Sequence, residues 1–94
     1  MTRSSISITK RNDNVFEVTV VDSITTIHEV TITDQSLNDL TNNNVTETQL
    51  LKFSFNFLLD REPNASILSA FDINVISWYF SEYKDEVRRW CDES

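Results

Sequence analysis

The first third of the chain alternates apolar and polar residues, a pattern typical of β-strands that bury one face. Three such segments run from Ser4 to Lys10, from Val15 to Val21 and from Thr25 to Thr33. Their apolar faces carry Ile6 and Ile8, then Phe16, Val18 and Val20, then His28, Val30 and Ile32. Because β-branched residues are frequent and turn residues separate the segments, we predict a three-stranded antiparallel meander. A sheet with one apolar face needs a second layer to cover it.

The second layer is predicted to be helical, and its central helix is the segment from Leu50 to Asp60. Phe53, Phe55 and Phe57 alternate with other residues, which taken alone favours a strand. The polar residues favour a helix instead, because they recur every three or four positions and form one stripe about 80° wide at about 100° per residue. The stripe consists of Gln49, Lys52, Asn56 and Asp60. The segment is therefore predicted to be a mostly buried helix.

Capping residues set the limits of the helices. Thr46 and Gln49 fit a capping box before the central helix, which is predicted to end near Arg61-Glu62-Pro63. Four further helices are predicted: one capped by Asp34 with Leu37 and Leu40 inward, one capped by Asn64 with Ile67, Leu68 and Phe71 inward, one over 73–80 after Asp72, and one from Ser81 with Tyr83, Val87 and Trp90 on one face.

The order of these segments predicts an α+β fold, in which the meander packs against three to five C-terminal helices. One domain spans residues 1–94, with strands over about 4–33 and helices over about 35–92. No internal repeat or linker divides the sequence. The first strand is predicted to lie at an edge of the sheet, where Lys10 and Arg11 would discourage pairing with another chain.

The absence of glycine narrows the function classes. The sequence contains no glycine among its 94 residues. Phosphate-binding loops and dinucleotide-binding turns need backbone positions that glycine fills most easily, so Walker-type and Rossmann-type nucleotide sites are strongly disfavoured. No cofactor is predicted. Turns must then use Asn and Asp, which tolerate left-handed conformations better than other residues. Two such turns are predicted at Asn12-Asp13-Asn14 and at Asn42-Asn43-Asn44.

Charge and cysteine content further limit the partners and metal sites that this protein can have. The formal net charge is −7, from 15 acidic and 8 basic residues. Such a field repels phosphate backbones, so no nucleic acid is expected as a partner. The single cysteine, Cys91, forms neither an intramolecular disulfide nor a thiolate metal cluster. No signal peptide or membrane-spanning stretch is recognised, which predicts a cytoplasmic protein without a membrane partner.

Several segments together resemble a group of small, uncharacterised bacterial proteins built from a hairpin and a helical half. The segments are His28–Thr33, Phe53 through Pro63, Ser66–Leu68, Phe71-Asp72, Val75–Ser77, Tyr79-Phe80 and Glu82-Tyr83, within residues 26 to 88. The pattern of that group has proline where this chain has Ser81. The resemblance implies a compact domain and no particular activity.

Single side chains offer few catalytic candidates. His28 is the only histidine and shares the apolar face of its strand, which indicates a packed histidine hydrogen-bonded to the backbone. Cys91 follows Trp90 and lies one turn after Val87, which indicates packing rather than nucleophilic chemistry. The acidic pairs Asp85-Glu86 and Asp92-Glu93 lack the spacing of a metal loop, so no metal site is predicted.

The aromatic helical half offers the better candidates for contact with a partner. In the 73–80 helix, Trp78 points away from the faces that carry its apolar neighbours, and Tyr79 and Tyr83 are close in sequence. Arg61 and Glu62 occupy a charged loop after a buried helix, a frequent place for recognition. The alternative is that Pro63 only ends the helix and that Arg61 forms a salt bridge with nearby acidic residues. Exposed aromatic residues are enriched at protein interfaces. The alternative is that the core of this small domain covers these aromatic side chains.

The sequence thus predicts a small acidic protein-interaction module, which binds another protein or a second copy of itself through its helical half. Two other binding or catalytic functions stay open, besides a purely structural role in which a subunit pairs its sheet edge to edge with another. One is an inhibitor or nucleic-acid mimic that occupies a basic groove by charge complementarity. The other is a small enzyme whose site would consist of Asp, Glu, Tyr and Arg.

Overall fold

A four-stranded mixed sheet and four α-helices form the protein. The computed structural model describes residues 5–93; Ser4, predicted to start the first strand, lies outside this range. In chain order the elements are β1 (Ser5–Lys10), β2 (Val15–Val21), β3 (Thr25–Thr31), α1 (Asp34–Thr41), α2 (Glu47–Leu59), a 3₁₀ turn (Asn64–Ser66), β4 (Ala70–Asp72), α3 (Val75–Tyr79) and α4 (Tyr83–Glu93). The α+β class and the predicted meander are confirmed.

The sheet has one strand more than predicted. Its order is β1-β2-β3-β4, in which β1, β2 and β3 are antiparallel and β4 pairs parallel to β3. Phe71 of β4 lies opposite Val30, in a segment that was predicted to be helical. A strand of three residues is too short to show alternation, and its partner is 41 positions away in sequence (71 minus 30). The prediction of three antiparallel strands is therefore corrected to four strands in a mixed sheet.

The sheet buries the face that the alternation marked. Phe16, Val18 and Val20 of β2 and Val30 of β3 are buried, and Ile6 and Ile8 of β1 pack against them from the edge. Glu29, Thr25 and Ile27 alternate with the buried positions and point to the open side. Burial of each large apolar side chain contributes about 1.5–3 kcal/mol, so the register of β2 and β3 is strongly fixed.

Helix α2 fills the space between the sheet and α4. The polar stripe predicted for α2 is exposed along its whole length, which confirms the helix. Phe55 is fully buried and its ring lies 5.3 Å from that of His28 on β3. On the side of α4, the rings of Phe53 and Trp90 stack with 4.6 Å between centroids. Thr46 and Gln49 form the predicted capping box.

The remaining helices begin at residues other than those predicted: α1 begins one residue earlier, and α3 and α4 begin two residues later. The N-cap of α1 is Thr33, whose hydroxyl accepts from the Ser36 amide, and not Asp34. Helix α3 begins at Val75, because Asp72 accepts a hydrogen bond from the Asn74 amide in a turn that precedes the helix. Helix α4 begins at Tyr83, two residues after the predicted start at Ser81. Among residues 5–93, no helix combines the length and apolar character needed to cross a bilayer.

Candidate functional site

An apolar groove of about 330 Å³ lies where the end of α2, the 3₁₀ turn, β4 and α3 meet. Its floor consists of buried side chains from three elements, including Leu58, Ile67 and Ile76. Leu68 and Tyr79 form its rim and are 47% and 70% exposed. Glu62 also lines the groove and is half-buried. The groove can accept an apolar group and place it beside one carboxylate.

The geometry of α3 exposes Trp78 next to this groove. At about 100° per residue, Trp78 lies almost opposite Ile76, the residue that anchors α3 in the core. Trp78 is accordingly 78% exposed, while Tyr79 and Val75 lie on the flank that lines the groove. The two aromatic residues predicted for partner contact in this helix are therefore at the surface.

The backbone around the groove is held by several specific bonds. The Ile73 amide donates to the Thr31 carbonyl over 2.9 Å, and the Asn74 side-chain amide donates to the Ser36 hydroxyl over 2.9 Å. The Glu29 amide donates to the Ser69 carbonyl over 2.7 Å. These bonds tie α3 and the segment before β4 to β3 and α1, so the groove has a fixed shape before any partner binds.

His28 supports this groove from inside the protein. It is 1% exposed, and its Nδ1 donates over 2.7 Å to the carbonyl of Leu68, the rim residue. The other ring nitrogen, Nε2, lies 2.8 Å from the Thr26 hydroxyl. The prediction of a packed histidine bonded to the backbone is confirmed, although the ring is more buried than predicted.

Tyr83 is not a surface residue, so its prediction as a partner contact is corrected. It is the first residue of α4, and its side chain is fully buried against α2, where its hydroxyl lies 2.6 Å from that of Ser54. Burial raises the pKa of this phenol. The sequence shows the apolar face of α4 but cannot show that Tyr83, at the first turn, meets Ser54 and Phe57 of another helix.

Arg61 forms an ion pair with a nearby acidic residue, which the sequence offered as the alternative to a recognition role. Its guanidinium lies 3.6 Å from the centre of the Phe57 ring and donates to the Phe57 carbonyl over 2.9 Å. It also donates to the Glu82 carboxylate over 3.2 Å. The pKa of Glu82 is lowered, first by a hydrogen bond from its own backbone and second by that from Arg61. Arg61 thus connects the end of α2 to the start of α4.

A second concavity of about 460 Å³ runs between α2 and α4, and Arg61 lines this one rather than the apolar groove. Its lining includes the polar stripe of α2 together with Phe53, Trp90 and Glu86. It is the shallower and more polar of the two concavities. The sequence placed Arg61 and Glu62 together, whereas the structure directs them to different surfaces.

The other residues considered for chemistry are separated from the groove. Cys91 is buried in α4, and the pKa of its thiol is raised by burial and by the charge of Asp92. Within residues 5–93, no group of three or more His, Cys, Asp or Glu side chains is arranged to hold a metal ion. Leu68 was predicted to point inward; no pattern in the sequence marked it as part of a rim.

No family model, no curated protein and no solved structure matches this chain. The resemblance to small bacterial proteins therefore stays a prediction.

Proposed function

We propose that this protein is a protein-interaction module that binds its partner through the apolar groove and the adjoining Trp78. The observation that carries the proposal is the pairing of a preformed apolar groove with Trp78 and Tyr79, which are 78% and 70% exposed. Tryptophan and tyrosine are the residues most enriched among those that dominate binding energy.

The anchored backbone that carries these aromatics supports the proposal. Ile76 holds α3 in the core, and backbone bonds hold both sides of the groove. A preformed site loses little conformational entropy on binding, so more of the contact energy appears as affinity. Exposed aromatics on a rigid scaffold are therefore better suited to recognition than the same residues on a mobile loop.

The two alternatives have weaker support. An inhibitor that mimics nucleic acid would need its acids arrayed on one surface, whereas Glu17, Glu82 and Glu86 each pair with an arginine. A small enzyme would need an available general base, and His28 has hydrogen bonds at both ring nitrogens inside the core. Neither alternative accounts for the exposure of Trp78.

Affinity capture from the source cells with matched variants tests the proposal. Trp78→Ala and Tyr79→Ala remove exposed side chains, and Ile27→Ala removes an exposed side chain of β3 that points to the open side of the sheet. We expect one or more proteins that are captured by the wild type and Ile27→Ala but lost with both aromatic variants. All three variants should keep the free energy of unfolding within about 0.5 kcal/mol of wild type.

Identical capture by all four proteins would contradict the proposal. Sedimentation of the wild type alone, compared with Tyr79→Ala, reveals whether the partner is a second copy of the chain. In that case the sedimentation coefficient rises with concentration for the wild type and not for the variant.

A further inference from the structure

The charge inside the groove indicates the chemistry of the partner. Among the groove-lining residues of the described chain, Glu62 alone is charged. The others are apolar apart from the hydroxyl groups of Ser66 and Tyr79. A ligand that fills this groove therefore meets one carboxylate beside an apolar surface.

Glu62 has no positively charged side chain paired with it among residues 5–93. Within residues 5–93, its carboxylate makes no ion pair or side-chain hydrogen bond. Its neighbour Arg61 is turned to the other side of α2, where Phe57 and Glu82 engage its guanidinium. Glu62 as a residue is half-buried at the wall of the groove, so an apolar partner that covered it would remove water from its carboxylate without providing a counter-charge.

A basic side chain of the partner would provide the counter-charge that the Glu62 carboxylate needs when water is removed. Opposite charges attract more strongly where water is partly excluded than in bulk water. The net charge of −7 adds a long-range attraction for a basic segment and repels an acidic one. A partner with a lysine or arginine beside its apolar anchor thus gains affinity, and a partner without one loses it.

The size of the groove limits what can enter. Its volume of about 330 Å³ lies at the lower end of the range of about 300–1,000 Å³ for ligand pockets. It has room for one or two side chains of a peptide segment, with the backbone of that segment running over the rim at Leu68 and Tyr79.

We propose that the groove binds a segment of another protein in which an apolar anchor residue is flanked by a lysine or arginine that pairs with Glu62. This inference rests on the proposed function, since it specifies the partner of the same groove. It assigns Glu62 a role in specificity and the apolar lining a role in affinity.

A random-sequence peptide library displayed on phage provides the probe. Peptides are selected on the wild type and counter-selected on the Leu68→Asn, Tyr79→Ala double variant, which alters only exposed rim residues. The selected peptides are synthesised and their affinities are measured by fluorescence anisotropy. Wild type is compared with Glu62→Gln and Glu62→Lys. The control is Glu29→Gln, which removes the same single charge as Glu62→Gln but on the open side of the sheet.

We expect groove-dependent peptides in which Lys or Arg lies next to an apolar residue. Glu62→Gln should weaken their binding about tenfold, Glu62→Lys should abolish it, and Glu29→Gln should leave it within about twofold. Replacing the basic residue of the peptide by glutamine should cause the same loss, and Glu62→Gln should then have no additional effect.

The outcomes separate this inference from the proposed function. Groove-dependent peptides that lack a basic residue and bind Glu62→Gln as tightly as wild type would overturn the inference and leave the proposed function intact. A selection that yields no peptide sensitive to the rim variants would overturn both. Self-association that is lost in Tyr79→Ala would identify a second copy as the occupant and also overturn the inference.

Discussion

At the scale of single residues, buried polar groups find partners far away in the sequence. The hydroxyls of Ser54 and Tyr83 lie 2.6 Å apart although 29 positions separate the two residues. Both side chains are fully buried, and a buried hydroxyl without a partner costs about 1–3 kcal/mol. The pair therefore fixes how α2 and α4 face each other.

Tyr83 should make the protein less stable in alkaline solution. Burial raises the pKa of its phenol above the ordinary value of 10.0, so the folded protein holds this proton more tightly than the unfolded chain. The stabilisation is fully present below pH 10 and is lost as the pH rises further, because only the unfolded chain releases the proton. The free energy of unfolding should fall by up to about 1.4 kcal/mol per pH unit above about pH 10.

Urea unfolding of wild type, Tyr83→Phe and Tyr79→Phe over a series of pH values checks this expectation. Tyr83→Phe should be less stable at neutral pH, because Ser54 loses its partner, but should have the smaller alkaline decline. Tyr79→Phe, which changes an exposed phenol, should follow the wild type. Parallel pH curves for all three proteins would contradict the assignment.

At the scale of elements, asparagine replaces glycine where the chain must turn sharply. Helix α1 ends at Thr41, its C-cap Asn42 has a φ of 54°, and the next residue, Asn43, has a φ of 58°. The Asn42 amide still donates to the Asn38 carbonyl, so the left-handed residue closes the helix. Left-handed backbone is costly for residues with a Cβ, and asparagine tolerates it better than most.

Two substitutions at Asn42 should show whether the left-handed backbone or the lost side chain determines the change in the free energy of unfolding. We expect Asn42→Ala to lower the free energy of unfolding by about 1 kcal/mol, whereas Asn42→Gly leaves it unchanged or raises it. Chemical denaturation of the two variants measures the difference. Asn44, which lacks a positive φ, is the matched control, and there glycine should be no better than alanine.

At the scale of the whole molecule, one polar chain joins the two layers next to the groove. The Asn64 side-chain amide donates to the Thr26 hydroxyl and to the Ile24 carbonyl, each over 3.0 Å. The Thr26 hydroxyl also lies beside His28, which donates to Leu68. The segment that forms the groove wall is thus attached to the turn between β2 and β3.

Removing Asn64 should loosen this attachment. We expect Asn64→Ala to lower the free energy of unfolding by about 2 kcal/mol, because the buried Asn64 side chain and its hydrogen bonds to the Val20 and Ile24 carbonyls and the Thr26 hydroxyl are lost. Asn64→Asp should cost more, since a carboxylate would face the Ile24 and Val20 carbonyls. Asn56→Ala, on the exposed stripe of α2, should stay within about 0.5 kcal/mol of wild type.

Urea unfolding gives these free energies, and amide hydrogen exchange locates the effect. The amides of the turn between β2 and β3 and of the segment from Asn64 to Ser69 should exchange faster in Asn64→Ala. Unchanged exchange in both places, or equal stability of the Asn64 and Asn56 variants, would contradict the attachment.

The local pattern of apolar and polar residues was sufficient to predict the meander, helix α2 and the capping box of α2. The alternation in the strands, the polar stripe of α2 and its Thr46–Gln49 capping box each involve residues only a few positions apart in sequence. Helical spacing also placed Trp78 away from the face of Ile76, although only the structure showed that no other element covers it. These features are determined by sequence because the forces that produce them act locally.

Tertiary structure alone decided the rest. Strand β4 forms because it pairs with the edge of β3. Tyr83 is buried because it packs against Ser54 and Phe57 of α2. Arg61 points away from the groove because its guanidinium contacts Phe57 and Glu82. Each of these contacts joins residues from different elements, and no short-range periodicity encodes such a meeting. The sequence determined which elements form and which faces are apolar, whereas the packing of those faces created the groove and left Glu62 inside it.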